Sequence, residues 1–538
     1  MLDPDVRRFS ALLTAKRPIP RASKASTTFS TLLFIAAMAS AQSAISVEMA
    51  QYNLERTNAN LHETILTPQN VNPQTFGKIF ERKVNDSVYA EPLIIAGLDI
   101  GGRTRNVLIV ATMSNTVFAF DADDPEAGKP LWTRKVGTPA VGNNWIGPFT
   151  FGILSTPFFD RSTNTIYLVS KNNQDKRVSN WVHALDVFTG QPKFNSPQEI
   201  NFPFADGKIV MDAPDVIQRA ALLVTQGVLV VATASVLPYD MQEGFVQSFD
   251  ASDLRRRLAS FQVTPTGLKG GIWHAGRGIP TDGEGNIFVS TAGGDYDGVR
   301  NFGSSVLKFE AKTLKLTDWF TPVNHEILFK GNTDLSAGGI ILIPGTNLLI
   351  AGGKEGVVYL IDRTKMGRLE TEDSKEPPVQ RFQASFGCHM TECSQHLGAA
   401  YWNLGSEGML YIWDRRDILR AFRFHDQRLE TKAAAVSTMK AVVTGGPTLS
   451  ANGGDRASGI VWALTASEEP DFPEIPGTLR AFAASDVSKE IYSSASNRRD
   501  SPGGFTKFAT PVVANGKVYV PTQSGKIAVY GLRSSAAR

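Results

Sequence analysis

One short segment recurs along the whole of this chain, and that recurrence limits the fold more than any other feature. It alternates as a β-strand does and ends in an aliphatic or aromatic residue, usually followed by an acidic one: Val117-Phe-Ala-Phe-Asp121, Val182-His-Ala-Leu-Asp186, Val246-Gln-Ser-Phe-Asp250, Val306-Leu-Lys-Phe-Glu310 and Val358-Tyr-Leu-Ile-Asp362. Leu419-Arg-Ala-Phe422, Leu479-Arg-Ala-Phe482 and Ile527-Ala-Val-Tyr530 complete the series. The copies lie about 48 to 65 residues apart, a spacing that fits one blade of a radial β-array. A second strand precedes most copies, such as Asn106-Val-Leu-Ile-Val-Ala111, and before it comes a stretch of small residues such as Ser155-Thr-Pro157 or Gly445-Gly-Pro447. Small side chains suit an innermost strand, because bulk would hold the ring open where many blades converge. An outer strand follows the acidic residue, as in Pro130-Leu-Trp-Thr133. The expectation is an all-β, eight-bladed β-propeller of four-stranded antiparallel blades.

The last copy, Lys526 to Leu532, has no outer strand behind it, while Phe76-Gly-Lys-Ile-Phe-Glu-Arg82 reads as an outer strand with no blade of its own. An uncovered sheet edge exposes unpaired backbone groups, so the N- and C-terminal strands are expected to pair and close the ring, with Phe80 near Val529. The propeller then spans 74–533, with a polar lead-in over 42–73 and a tail at 534–538. Ahead of it, basic residues from Arg7 to Lys24 precede the apolar run Thr31-Leu-Leu-Phe-Ile-Ala-Ala-Met38 and the small-residue pattern Ala39-Ser40-Ala41. That order predicts an export signal over 1–41 and a periplasmic or secreted protein. No apolar run reaches the roughly 18 residues that a membrane span requires. The formal net charge is +3, and no basic run interleaves with aromatics, which argues against a nucleic-acid partner.

Two blades carry a sharper pattern: Ala119-Phe-Asp-Ala-Asp-Asp-Pro-Glu-Ala-Gly128-Lys-Pro-Leu-Trp132 and Ala184-Leu-Asp-Val-Phe-Thr-Gly190-Gln-Pro-Lys-Phe194. These resemble the A-x-D-x-x-T-G-x-x-x-W repeat of the quinoprotein alcohol dehydrogenase-like family, propellers named for pyrroloquinoline quinone (PQQ). The lead-in Leu61-His-Glu-Thr-Ile-Leu-Thr-Pro-Gln-Asn70 and Gly352-Gly-Lys-Glu-Gly356 are also similar to theirs. In that family the Asp and Gly shape a turn and the Trp packs between blades, so the motif speaks for architecture. The resemblance implies a quinone site: Trp273 in Gly270-Gly-Ile-Trp273 as the floor for a flat ring, and Lys354 facing the quinone oxygens. It also implies losses. Gly293 stands where the family places a calcium-ligating Asn, Arg300 or Asn301 where it places the catalytic Asp, and Glu243 is the nearest substitute for a calcium Glu. Calcium binding is therefore doubtful, since a hard cation needs several oxygen ligands, and no general base remains.

The two cysteines fall in Cys388-His-Met-Thr-Glu-Cys393-Ser-Gln-His396. In an oxidising compartment Cys388 and Cys393 are candidates for a disulfide; free thiols and a metal clip are the alternatives. His274 and Arg277, beside Trp273, together with Glu91, Lys354 and His396, are candidates for a polar mouth at one end of the axis, where a small molecule, glycan or protein would bind. Two readings follow: a binding or scaffold propeller with a degenerate PQQ site, or a PQQ-dependent dehydrogenase oxidising alcohols or sugars.

Overall fold

A computed structural model describes residues 44–141, 150–210, 216–235, 243–371, 378–387, 398–468 and 474–533. The export signal expected over 1–41, the tail at 534–538, and Cys388, Cys393 and His396 lie outside the described residues. Eight small, mostly antiparallel sheets form a ring, an eight-bladed β-propeller. Blade 1 is typical: Leu93–Asp99, Thr104–Ala111, Thr116–Asp121 and Trp132–Lys135 run from the inside outward. The recurring segment is the third strand of each blade. Blades 2 to 7 occupy 158–200, 223–262, 286–321, 340–383, 399–441 and 443–493. Blade 8 joins the two ends of the chain: Val512–Ala514, Lys517–Pro521 and Lys526–Leu532 are completed by Phe76–Lys83, and Phe80 is the register partner of Val529. Phe76 is fully buried there, with its ring edge-on to Tyr492 at 4.9 Å.

Several blades depart from four plain strands, blades 4 and 7 among them. In blade 4 the inner strand shrinks to a bridge between Thr281 and Ile287, because Pro280 lacks an N–H and Gly276 sits at φ 89°. Blade 7 gains a fifth strand, Ala59–Asn60, which runs parallel to Val443–Ser450 along its inner edge.

The repeat motif locks neighbouring blades. Asp186 Oδ1 accepts from the backbone N–H of Phe188 and Thr189, turning the chain into Gly190 at φ 68°. The Trp132 indole of blade 1 lies over that glycine, where a Cβ would come within 2.7 Å of the ring, and Nε1 donates to Val187 O at 2.9 Å. A second device recurs at other joints. Tyr167, Tyr411 and Tyr519 each donate a hydroxyl to the carbonyl of Ala251, Ala484 or Ala122, the alanine just past the third strand of the following blade.

The lead-in is not a solvated arm. From Val47 to Asn60 it circles the axis and meets every blade in turn. Val47 exchanges backbone hydrogen bonds with Ile94 of blade 1, and Glu48 O accepts from Phe159 N of blade 2. Arg56 Nη2 donates to Leu222 O at the entry to blade 3, while the carbonyls of Leu54, Glu55, Thr57 and Asn58 accept from Thr281, Leu342, Tyr401 and Leu449 of blades 4 to 7. Asn60 Nδ2 reaches Val513 O of blade 8 at 3.0 Å. Each innermost strand has an edge turned to the axis with backbone groups that need partners. This segment supplies them, which explains why polar residues such as Arg56, Asn58 and Asn60 are almost wholly buried.

Candidate functional site

Against the axial segment lie the residues that lead into the inner strands. Glu91 precedes blade 1, Arg219 precedes blade 3, and His274 to Arg277 precede the short inner bridge of blade 4. Gly398, Gly446 and Thr510 hold the same place before or within the inner strands of blades 6, 7 and 8. The small residues there leave the long side chains room to turn toward the centre.

Glu91 is 7% exposed. Its carboxylate accepts from Thr510 Oγ1 at 2.6 Å and from Gln51 N at 3.0 Å, which ties the mouth to the axial segment. Burial pushes its carboxyl above the usual range, while those hydrogen bonds and the charges of Arg277 and Arg56 pull the other way. Arg219 and Arg277 are 4% and 6% exposed. Arg219 Nη1 donates to Leu154 O at 3.0 Å, and Arg277 Nη1 donates to Ala399 O at 2.8 Å. Burial brings Arg56, Arg219 and Arg277 each down to about 10, still charged at neutral pH. The Nη2 atoms of Arg219 and Arg277 have no hydrogen-bond partner among the described residues.

His274 is fully buried at φ 46°, in the left-handed region. Its Nε2 accepts from Ser290 N at 3.0 Å, so the ring proton resides on Nδ1. Burial lowers its pKa to about 4, which keeps the imidazole neutral.

The structure gathers Glu91, His274 and Arg277 at the axis, and it engages Trp273 and Lys354 differently. The half-buried Trp273 ring packs against the cluster of Met113, Ala140, Phe151 and Ile217. Lys354 is ion-paired with Asp334 and donates to Asn332 O at 3.1 Å. The same Asp334 accepts from Gly293 N, so the residue at the lost calcium position and the residue at the quinone-facing position share one carboxylate. Arg300 and Asn301 lie on a turn capped by Asp297, whose Oδ1 accepts from both backbone N–H groups. The Asn301 amide is committed to Asp297 and Thr266. Glu243 bonds Gln262, and burial raises its carboxyl to about 7. Among the described residues, no group of three or more His, Cys, Asp or Glu is placed to hold a metal, and no helix is long and apolar enough to cross a membrane.

Sequence reasoning missed Arg219 and Arg56. Arg219 carried a signal, since Gln218-Arg219-Ala220-Ala221 sets a long cation directly before the small residues that open an inner strand. Arg56 carried none, because a polar lead-in gives no sign that it will be buried.

No family model matches the chain, and no curated protein matches it in sequence. Among solved structures it is similar to the quinohemoprotein alcohol dehydrogenase ADHIIG of Pseudomonas putida HK5, with TM-score 0.57 and 13% identity over 90% of this chain and 80% of that one. A quinohemoprotein alcohol dehydrogenase from Comamonas testosteroni gives 0.59 and 13% over the same shares. A europium-containing methanol dehydrogenase gives 0.58 and 12%, covering 90% of this chain and 98% of that one. At such identities the likeness is one of fold.

Proposed function

We propose that this chain is an exported binding propeller of quinoprotein-like fold, whose ligand site is the axial mouth and whose PQQ position is degenerate. The observation that carries this reading is the contrast in how the charged groups are used. At the mouth, two buried guanidinium groups each keep a terminal nitrogen with no partner among the described residues. At the positions the family resemblance assigns to quinone chemistry, Lys354 is neutralised by Asp334 and the base position falls on a self-satisfied turn. A buried polar group is normally paired, and two unpaired cationic donors gathered at one mouth offer a ligand its hydrogen bonds. These residues do not fit a working quinone site: its cation is spent on a neighbouring carboxylate, and neither Arg300 nor Asn301 can take up a proton at neutral pH. Export rests on the basic and apolar leader of residues 1–41.

A PQQ-dependent dehydrogenase is the second reading, favoured by the fold of the solved relatives and by the half-buried ring of Trp273. Titration of the purified protein with PQQ and calcium, followed by dye-linked oxidation of primary alcohols and aldoses, separates the two. The binding reading expects no saturable quinone uptake and no dye reduction. Tight PQQ binding accompanied by dye reduction, both lost in Trp273→Ala, would establish the dehydrogenase instead.

A further inference from the structure

Among the described residues, three buried guanidinium groups, those of Arg56, Arg219 and Arg277, lie near the buried carboxylates of Glu91 and Asp414. Arg277, Arg415 and Asp414 line one cleft with Ala275, Gly398, Trp413, Thr444, Gly446 and Phe508. Arg219 stands beside it, with its Cζ 5.7 Å from the Phe508 ring and its guanidinium against Gly276. Glu91 is held by Gln51 and Thr510. The guanidinium groups of Arg219 and Arg277 are each buried with Nη2 unpaired among the described residues. Burying a charge without a partner is costly, so an arrangement of this kind calls for an anion from outside.

Three glycines keep the space beside these groups open. A Cβ would stand 2.8 Å from Arg277 Nη2 if built on Gly446 and 3.1 Å from it on Gly398, while on Gly276 it would stand 2.8 Å from Arg219 Nη2. Those two nitrogens are the ones without a partner among the described residues. The cleft has a free volume of about 10 Å³, room for about one water-sized group. A planar carboxylate end can enter such a space oxygen first and accept hydrogen bonds from guanidinium forks, the geometry that arginine pairs with most strongly.

We infer that the axial mouth binds the carboxylate end of a small ligand, received by Arg277 Nη2 and Arg219 Nη2. This rests on the reading of the mouth as the ligand site and adds the chemical class of what it takes. The cleft beside Ala275, Gly398 and Gly446 is the receiving space, and Phe508, whose ring also faces Arg219, forms one of its walls. Burial lowers the pKa of both arginines only to about 10, so both remain cationic throughout the neutral range.

Formate is the probe, since it is the carboxylate group with nothing attached. Isothermal titration of the full chain at fixed ionic strength compares formate with phosphate and chloride. Saturable formate binding at one per chain is expected, weakened at least about tenfold in Arg277→Gln and in Arg219→Gln, the loss of one charge-assisted hydrogen bond in each. No saturable formate binding, phosphate binding tighter than formate, or variants that bind as the parent does would each overturn the assignment. Should either variant fail to fold, crystals of the parent protein soaked in bromide decide. An anomalous peak beside Arg277 Nη2 that formate erases supports the site, and a peak only elsewhere sinks it. These readouts do not involve quinone, so their failure is distinct from a positive result in the PQQ titration, which would remove the binding reading itself.

Discussion

Two parts of the propeller axis, the axial segment and the mouth, both bury arginine and differ in how completely its donors are paired. In the axial segment, Arg56 donates through Nε to Ile279 O, through Nη1 to Ala50 O and through Nη2 to Leu222 O. At the mouth, Arg219 and Arg277 each donate to one carbonyl, and each keeps an Nη2 unpaired among the described residues. Both sets are buried, so burial alone does not distinguish them. The hydrogen bonds do: a cation with every fork filled is spent on the fold, and one with a fork open keeps a donor to offer.

Four experiments put this contrast to the test. Arg56→Ala should be the most damaging, since it strands three buried carbonyls that span the axial segment and two blades; urea unfolding should show a loss of about 4 kcal/mol. A loss near zero would mean that the axial segment is no better organised than the mouth.

Acid comes next. His274 has a folded pKa lowered to about 4, so its stabilising contribution is complete above the unfolded value near 6.5. It is lost as pH falls toward 4, because the unfolded chain takes up a proton that the folded one refuses. Stability measured at pH 7 and pH 4 should fall by roughly 3 kcal/mol more in the parent than in His274→Gln, whose side chain does not titrate. Equal slopes would show that the imidazole is not held neutral.

Asn58→Ala probes the axial segment more gently. Asn58 sits at φ 55°, a conformation asparagine tolerates better than alanine, and its Nδ2 donates to Pro447 O at 2.7 Å. Thermal unfolding should show a loss of about 2 kcal/mol. The smallest effect on stability is expected at Glu91→Gln, within about 1 kcal/mol, because the carboxylate is already disfavoured by burial and the amide keeps an acceptor. Removing that negative charge from among the arginines should tighten formate binding several-fold, and weaker binding would contradict the charge balance proposed for the mouth.

The eight-fold repeat was legible because a strand that must pack on both faces repeats its pattern wherever the geometry repeats. Ring closure was legible too, since an outer strand without a blade and a blade without an outer strand imply each other; Phe80 and Val529 are register partners. The role of the lead-in was not, because Gln51, Arg56, Asn58 and Asn60 have the composition of a solvated tail. Their burial depends on inner-strand edges supplied by segments hundreds of residues away, such as Ile279 for Arg56. The site was legible in part. Glu91, His274 and Arg277 were found by their place before small-residue segments, whereas Arg219, at the preceding blade entry, was passed over although it stands directly before Ala220 and Ala221. Trp273 and Lys354 were carried over from the family pattern, and that pattern does not reveal that Asp334 takes up the lysine.

Pairing Phe76–Lys83 with Lys526–Leu532 also sets an order of events. The strand Phe76–Lys83 cannot find its partner until the segment from Lys526 has been made, so a growing chain carries an unfinished, adhesive border while seven blades are synthesised. Contacts so distant along the chain form slowly. Removal of the strand Lys526–Leu532 should therefore leave a product that recruits holding factors and proteases, although every earlier blade is encoded in full.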